Sequence, residues 1–123
     1  MKTTYTPPLQ KEWEERKRFR EEGDRLGKEG DRLGKEGDRL WKEGDRLLEE
    51  GDRLLGDRLL KEGDRLWKEG DRLWDEGKKL LKEGDRLWDE VVREYYGEDV
   101  KVKWRKWHED NEPTCHVGSD VYV

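Results

Sequence analysis

From residue 23 to residue 90 one arrangement of apolar and polar positions recurs every seven residues. The unit is Glu-Gly-Asp-Arg-Leu, then a variable residue, then a charged one. Glycines fall at positions 23, 30, 37, 44 and 51, and then at 56, 63, 70, 77 and 84. Leucines fall at 26, 33, 40, 47 and 54, and then at 59, 66, 73, 80 and 87. Both series step by seven, with a single step of five in the middle. Gly77-Lys78-Lys79-Leu80 replaces the usual Asp-Arg.

A repeat of seven over this length predicts helix built for packing. If leucine is position d, glycine is a, aspartate b, arginine c and the variable residue e. On a helix d, a and e are angular neighbours with a in the middle, so they form one apolar stripe about 100° wide. Position e holds Gly27, Gly34, Trp41, Leu48, Leu55, Leu60, Trp67, Trp74, Leu81 and Trp88. The opposite face holds Asp, Arg, Lys and Glu, with Asp31–Lys35 and Glu29–Arg32 spaced as helical ion pairs. The residues expected to carry association with another helix are Leu40, Trp41, Leu47, Leu54, Leu59, Leu66, Trp67, Leu73, Trp74, Leu80, Leu87 and Trp88. The row formed by Gly44, Gly63, Gly70 and Gly84 belongs with them.

Glycine costs up to about 1 kcal/mol per residue in a helix relative to alanine. Ten of them at position a must therefore be offset, and close approach of a second helix is the natural compensation. The first units, with glycine at both a and e, are expected to fray.

The five-residue step rotates the stripe by about 160° relative to a continuous seven-residue repeat. The leading expectation is one continuous helix with two apolar faces, each meeting a different neighbour. A helical hairpin bent near Gly56, and a simple loss of two residues without consequence, are the alternatives. A β-solenoid and a chain that folds only on a partner stay open as well.

Residues 1–22 read as a lead-in, with Thr6-Pro7-Pro8 as a helix start. Residues 23–96 are the repeat helix, and Gly97 after Tyr95-Tyr96 reads as its C-terminal cap. Residues 97–123 differ in kind. Val100, Val102 and Trp104 alternate with Lys101, Lys103 and Arg105, which is the strand signal. His108 to Pro113 reads as a turn, and Thr114–Val117 and Val121–Val123 as short return strands. The fold class is therefore mainly α, a long coiled-coil-like amphipathic helix with a small C-terminal β-hairpin or three-strand meander.

Composition narrows the function. Half of the 123 residues are charged and 29% are hydrophobic, too few for an ordinary globular core. The formal net charge of −5 argues against a generic nucleic-acid binder. One cysteine, Cys115, allows no intrachain disulfide. No apolar run approaches the roughly 20 residues of a membrane span, and no secretory leader is evident, so a cytoplasmic, non-membrane protein is expected.

Candidate chemistry is sparse. His108, Cys115 and His116 do not match zinc-ligand spacing, and Cys115 lacks the partners of a nucleophile. The segment with Lys101, Lys103, Trp104, Arg105 and Trp107 interleaves basic and aromatic residues, a pattern that contacts single-stranded nucleic acid by stacking. Against that stands a half-buried strand with a solvated basic face. The tryptophan series reads as packing before it reads as a ligand platform. No catalytic, cofactor or metal site is expected, and neither is a small-molecule ligand.

The run Lys61-Glu62-Gly63-Asp64-Arg65-Leu66-Trp67-Lys68-Glu69-Gly70 resembles repeats in hypothetical proteins of tailed bacteriophages. Those close with a segment similar to Tyr96-Gly97, Val102-Lys103-Trp104 and Cys115-His116-Val117. The resemblance covers about residues 20–123 and implies a viral origin, in a host cytoplasm or virion, with no activity to carry over. The leading functional expectation is a non-enzymatic structural or interaction protein that forms a homo-oligomer or binds a helical partner through the Gly/Leu/Trp stripe. A binding protein acting on a host factor or nucleic acid through the basic strand, and a protective hydrophilic protein, are the alternatives.

Overall fold

The computed structural model describes residues 5–106 and 113–123. Two long helices, α1 (Gln10–Glu49) and α2 (Arg53–Tyr96), precede a three-stranded antiparallel sheet. Its strands are β1 (Val102–Lys106), β2 (Pro113–Val117) and β3 (Asp120–Tyr122), in the order β1-β2-β3. The mainly α class with a C-terminal meander is therefore the observed one.

The expectation of one continuous helix is corrected. The chain reverses at Glu50-Gly51-Asp52, not at Gly56, and α1 and α2 pair antiparallel. The local chemistry of the turn is complete. Gly51 takes φ +91°, and its N–H reaches Leu48 O at 3.1 Å while Asp52 N–H reaches Leu47 O at 2.9 Å. That is a Schellman closure of α1. Asp52 then caps α2, its Oδ1 accepting from Leu55 N–H at 3.3 Å. At the far end Gly97 adopts φ +98° and its N–H bonds to Arg93 O at 3.0 Å, so the glycine stop falls where the sequence places it.

The chain divides into two compact units. One spans Arg20–Leu81 and is a helical hairpin. Its interior is glycine. Gly23 faces Gly77, Gly30 faces Gly70, Gly37 faces Gly63 and Gly44 faces Gly56. Partner numbers add to 100 in every pair. The same turn moved to Gly56 would make partner numbers add to 110, setting Gly51 against Leu59 and Gly23 against Leu87, outside the glycine series.

A methyl group on any of these eight glycines would sit 2.5–2.9 Å from its partner's carbonyl oxygen, and the relation is reciprocal in all four pairs. The hydrogen that stands there points at that carbonyl. Such Cα–H···O contacts contribute roughly 0.5–1 kcal/mol each. Eight of them return about 4–8 kcal/mol, close to the penalty of about 8 kcal/mol for eight helical glycines. The helix also runs unbroken through the units holding Gly27 and Gly34, where fraying was expected.

The other unit joins Met1–Phe19 with Lys82–Val123. Its core is Leu9, Trp13, Trp88, Val92, Cys115, Val117 and Tyr122, all buried. Trp13 and Trp88 meet edge-on at 5.0 Å, and Trp88 meets Tyr122 edge-on at 4.9 Å. Register places Trp104 opposite Cys115 and Cys115 opposite Tyr122. This core lets a short meander hold, since an isolated hairpin is marginal in water.

Candidate interaction surface

In the hairpin unit five of the eight paired glycines lie under a position-e side chain of the opposite arm. Leu81 lies over Gly23, Trp67 over Gly37 and Leu60 over Gly44, while Gly30 meets the Gly70 and Trp74 backbone and the Trp74 ring lies beside Gly27. From the other arm, Leu48 covers Gly56 and Trp41 covers Gly63. The pairing relates the arms by an approximate twofold, so position-e residues of both arms share one face and the leucines at d share the other. Leu40, Leu47, Leu59, Leu66, Leu73 and Leu80 are half-buried, while Leu54 beside the turn is 88% exposed.

The e face is the less covered of the two. Trp41 is 49% exposed, Trp67 52%, Trp74 42% and Leu55 43%. Two glycines interrupt it. Gly34 has no atom near the place of its missing Cβ, and Gly30, Gly70 and Gly77 meet only backbone or the Leu33 edge where the other seam glycines meet an e side chain. The result is a groove of about 400 Å³ floored by Gly30, Gly34 and Gly70, walled by Trp67 and Trp74, and bordered by aspartates such as Asp38. The Trp67 indole N–H donates to Asp38 Oδ1 at 2.8 Å, and Lys78 Nζ sits 3.6 Å from the Trp74 ring centroid. These two contacts fix the tryptophans as presented, not buried, rings.

The charged face is laced along each helix. Arg25, Arg32, Arg46, Arg65, Arg72 and Arg86 each pair with the glutamate three residues earlier. Hydrogen bonds from the arginines hold Glu22, Glu29, Glu43, Glu62, Glu69 and Glu83 below the usual carboxylate range. The expected Glu29–Arg32 pair is among them.

In the other unit several residues that the repeat and the strand pattern single out take different places. Trp88 is buried against Trp13 and Tyr122, and Leu87 is at the surface, 37% exposed. Gly84 packs on Phe19 and the Arg16 backbone. Lys101, Lys103 and Arg105 are exposed, the latter two on β1 at an edge of the sheet. Trp104 is 44% exposed, and its ring lies on Arg16, whose guanidinium is 4.5 Å from the Trp104 ring centroid and 4.9 Å from that of Trp13. Arg16 also pairs with Asp85 at 2.9 Å. Trp107 and His108 lie outside the described residues.

Sequence reasoning missed one cluster. Asp120 accepts from the Tyr5 hydroxyl at 2.6 Å and the Tyr96 hydroxyl at 2.5 Å, while the Tyr96 and Tyr122 hydroxyls lie 2.6 Å apart. Leu9 N–H donates to Tyr122 Oη at 3.1 Å. The two donated bonds hold the Asp120 carboxyl below its ordinary range. Tyr5 is pushed up chiefly by its bond to Asp120, and Tyr96 chiefly by burial. The only legible signal was three tyrosines and an aspartate flanking the helices and strands, which fixes no pairing. Cys115 is buried, and burial pushes its thiol up against the opposing pull of the Trp88 indole and the Arg16 charge. Burial outweighs both, and the Trp88 N–H makes no hydrogen bond of ordinary geometry.

Among the described residues no helix is long and apolar enough to cross a membrane. The fold and surface define a glycine-seamed helical hairpin that carries a small tyrosine-clamped sheet unit on the same chain. Set against protein-family models, curated proteins and solved structures, the chain finds no match.

Proposed function

We propose that this is a non-enzymatic structural or interaction protein that associates with further copies of itself through the tryptophan face of its hairpin unit. The observation that carries the reading is the exposure of Trp41, Trp67 and Trp74, at 42–52%, on one face of a hairpin whose seam is already filled. Contiguous exposed apolar patches mark interaction sites. The glycine stripe, which the repeat assigned to intermolecular pairing, is occupied within the chain, so the surface left for association is the e face. The likeness to phage repeat proteins sets this reading in a viral context and adds no activity.

The test is solution mass by light scattering across concentration. The parent protein is expected to exceed its 14.9 kDa chain mass, and Trp67→Lys with Trp74→Lys is expected to return it to that mass with helix content intact. A parent that stays at one chain mass at every concentration sinks the reading.

A second reading rests on one observation, the exposed Lys101, Lys103 and Arg105 along the sheet edge, which suits an anionic partner. Titration with a single-stranded oligonucleotide decides it: absence of salt-sensitive affinity removes it.

A further inference from the structure

The five-residue step between Gly51 and Gly56 decides which molecule can fill the glycine seam. A helix turns about 100° per residue, so seven residues return a stripe to within about 20° of its azimuth. Five residues carry it about 140° onward. If the turn at Glu50–Asp52 straightened and α1 ran into α2, the glycines at 56–77 would lie about 160° from the line on which an unbroken seven-residue repeat would continue those at 23–44. A second copy lying antiparallel alongside would meet one set and miss the other. A seven-residue step would instead leave one unbroken stripe. Two extended copies could then exchange arms, because every seam contact joins a glycine of the first arm to a glycine of the second, whichever chain supplies it.

Local turn chemistry does not make this choice. Gly-Asp opens nearly every unit, yet the helix passes straight through the others and reverses only at Gly51-Asp52. What distinguishes that pair is its register, which alone sets 23, 30, 37 and 44 against 77, 70, 63 and 56. We propose that the five-residue step is a conformational device that closes the glycine seam within one chain and denies it to a second copy. It is independent of the tryptophan face, which can associate between closed hairpins.

The experiment is run on Trp67→Lys/Trp74→Lys chains, so that face association does not contribute. One variant receives Lys-Glu between Leu55 and Gly56, restoring the seven-residue step. A second receives a whole unit, Lys-Glu-Gly-Asp-Arg-Leu-Leu, at the same place, which keeps the stripes on opposite sides. Each is refolded from denaturant at about 1 mM, the scale of effective concentration for a short linker, then diluted and weighed by light scattering. The two-residue insertion is expected to yield a two-chain species that survives dilution and mixes with tagged chains only after unfolding. The parent and the whole-unit insertion are expected to remain single chains. The proposal is overturned if the two-residue variant stays a single chain, if the whole-unit variant also forms pairs, or if the two-residue variant loses its helical circular-dichroism signal while the other keeps it.

Discussion

A glycine in this chain takes its meaning from what faces it. Gly34 and Gly37 lie three residues apart on one helix and predict opposite outcomes. Gly34 has nothing within 4 Å of its absent Cβ, so Gly34→Ala is expected to stabilise by up to about 1 kcal/mol through helix propensity alone. At Gly37 the same methyl would press to 2.7 Å of Gly63 O, and overpacking of that kind costs about 1–3 kcal/mol. Gly37→Ala is therefore expected to destabilise despite its better propensity. Chemical denaturation of the two variants checks both signs together. Cys115 is readable at the same scale: buried and held neutral, it should alkylate orders of magnitude more slowly in the native protein than in denaturant. A thiol-reactivity time course measures the ratio.

At the level of elements, the turn and the tyrosine clamp carry the expectations. Asp52→Ala removes the cap of α2 and should cost about 1 kcal/mol, read as a lowered denaturation midpoint with the hairpin retained. Asp120 titrates with a definite sign. Its folded carboxyl is depressed, so the unfolded chain binds the proton first as pH falls. Its stabilisation is present above the ordinary aspartate range and is lost below about pH 4. Tyr5 and Tyr96 are raised, so their part is present below the unfolded phenol range and is lost above about pH 10. Asp120→Asn should cost about 2 kcal/mol at neutral pH and flatten the acid limb. The limb that remains belongs to the Glu–Arg pairs. Thermal unfolding across pH, parent against variant, shows whether the limb flattens.

The elements were mostly legible in the sequence, since periodicity reports helix faces and alternation reports strands. The seven-residue spacing marked both arms, Gly97 marked the end of α2, and the Val/Trp alternation marked β1. The reversal was not legible as such, because Gly51-Asp52 looks like its neighbours and only long-range register singles it out. Nor was the small core. Leu9, Trp13 and Arg16 share a helical face, but nothing local announces that Cys115 and Tyr122 will close over it. The candidate surface was half legible: Trp41, Trp67 and Trp74 are at the surface, while Trp88, from the same repeat position, is core.

For the whole molecule, stability is divided between two kinds of interior. The hairpin unit relies on backbone against backbone, and the sheet unit on Trp13, Trp88 and Tyr122. The first interior is written identically in every unit, and only its count and phase matter. Such a sequence can change size by copying slips in its gene. A duplication confined to one arm displaces the reversal and strands the terminal residues. A matched duplication in both arms restores every contact and lengthens the hairpin by about 10 Å. The lengths open to descendants of this chain are thus spaced like the rungs of a ladder, and inheritance must climb them two units at a time.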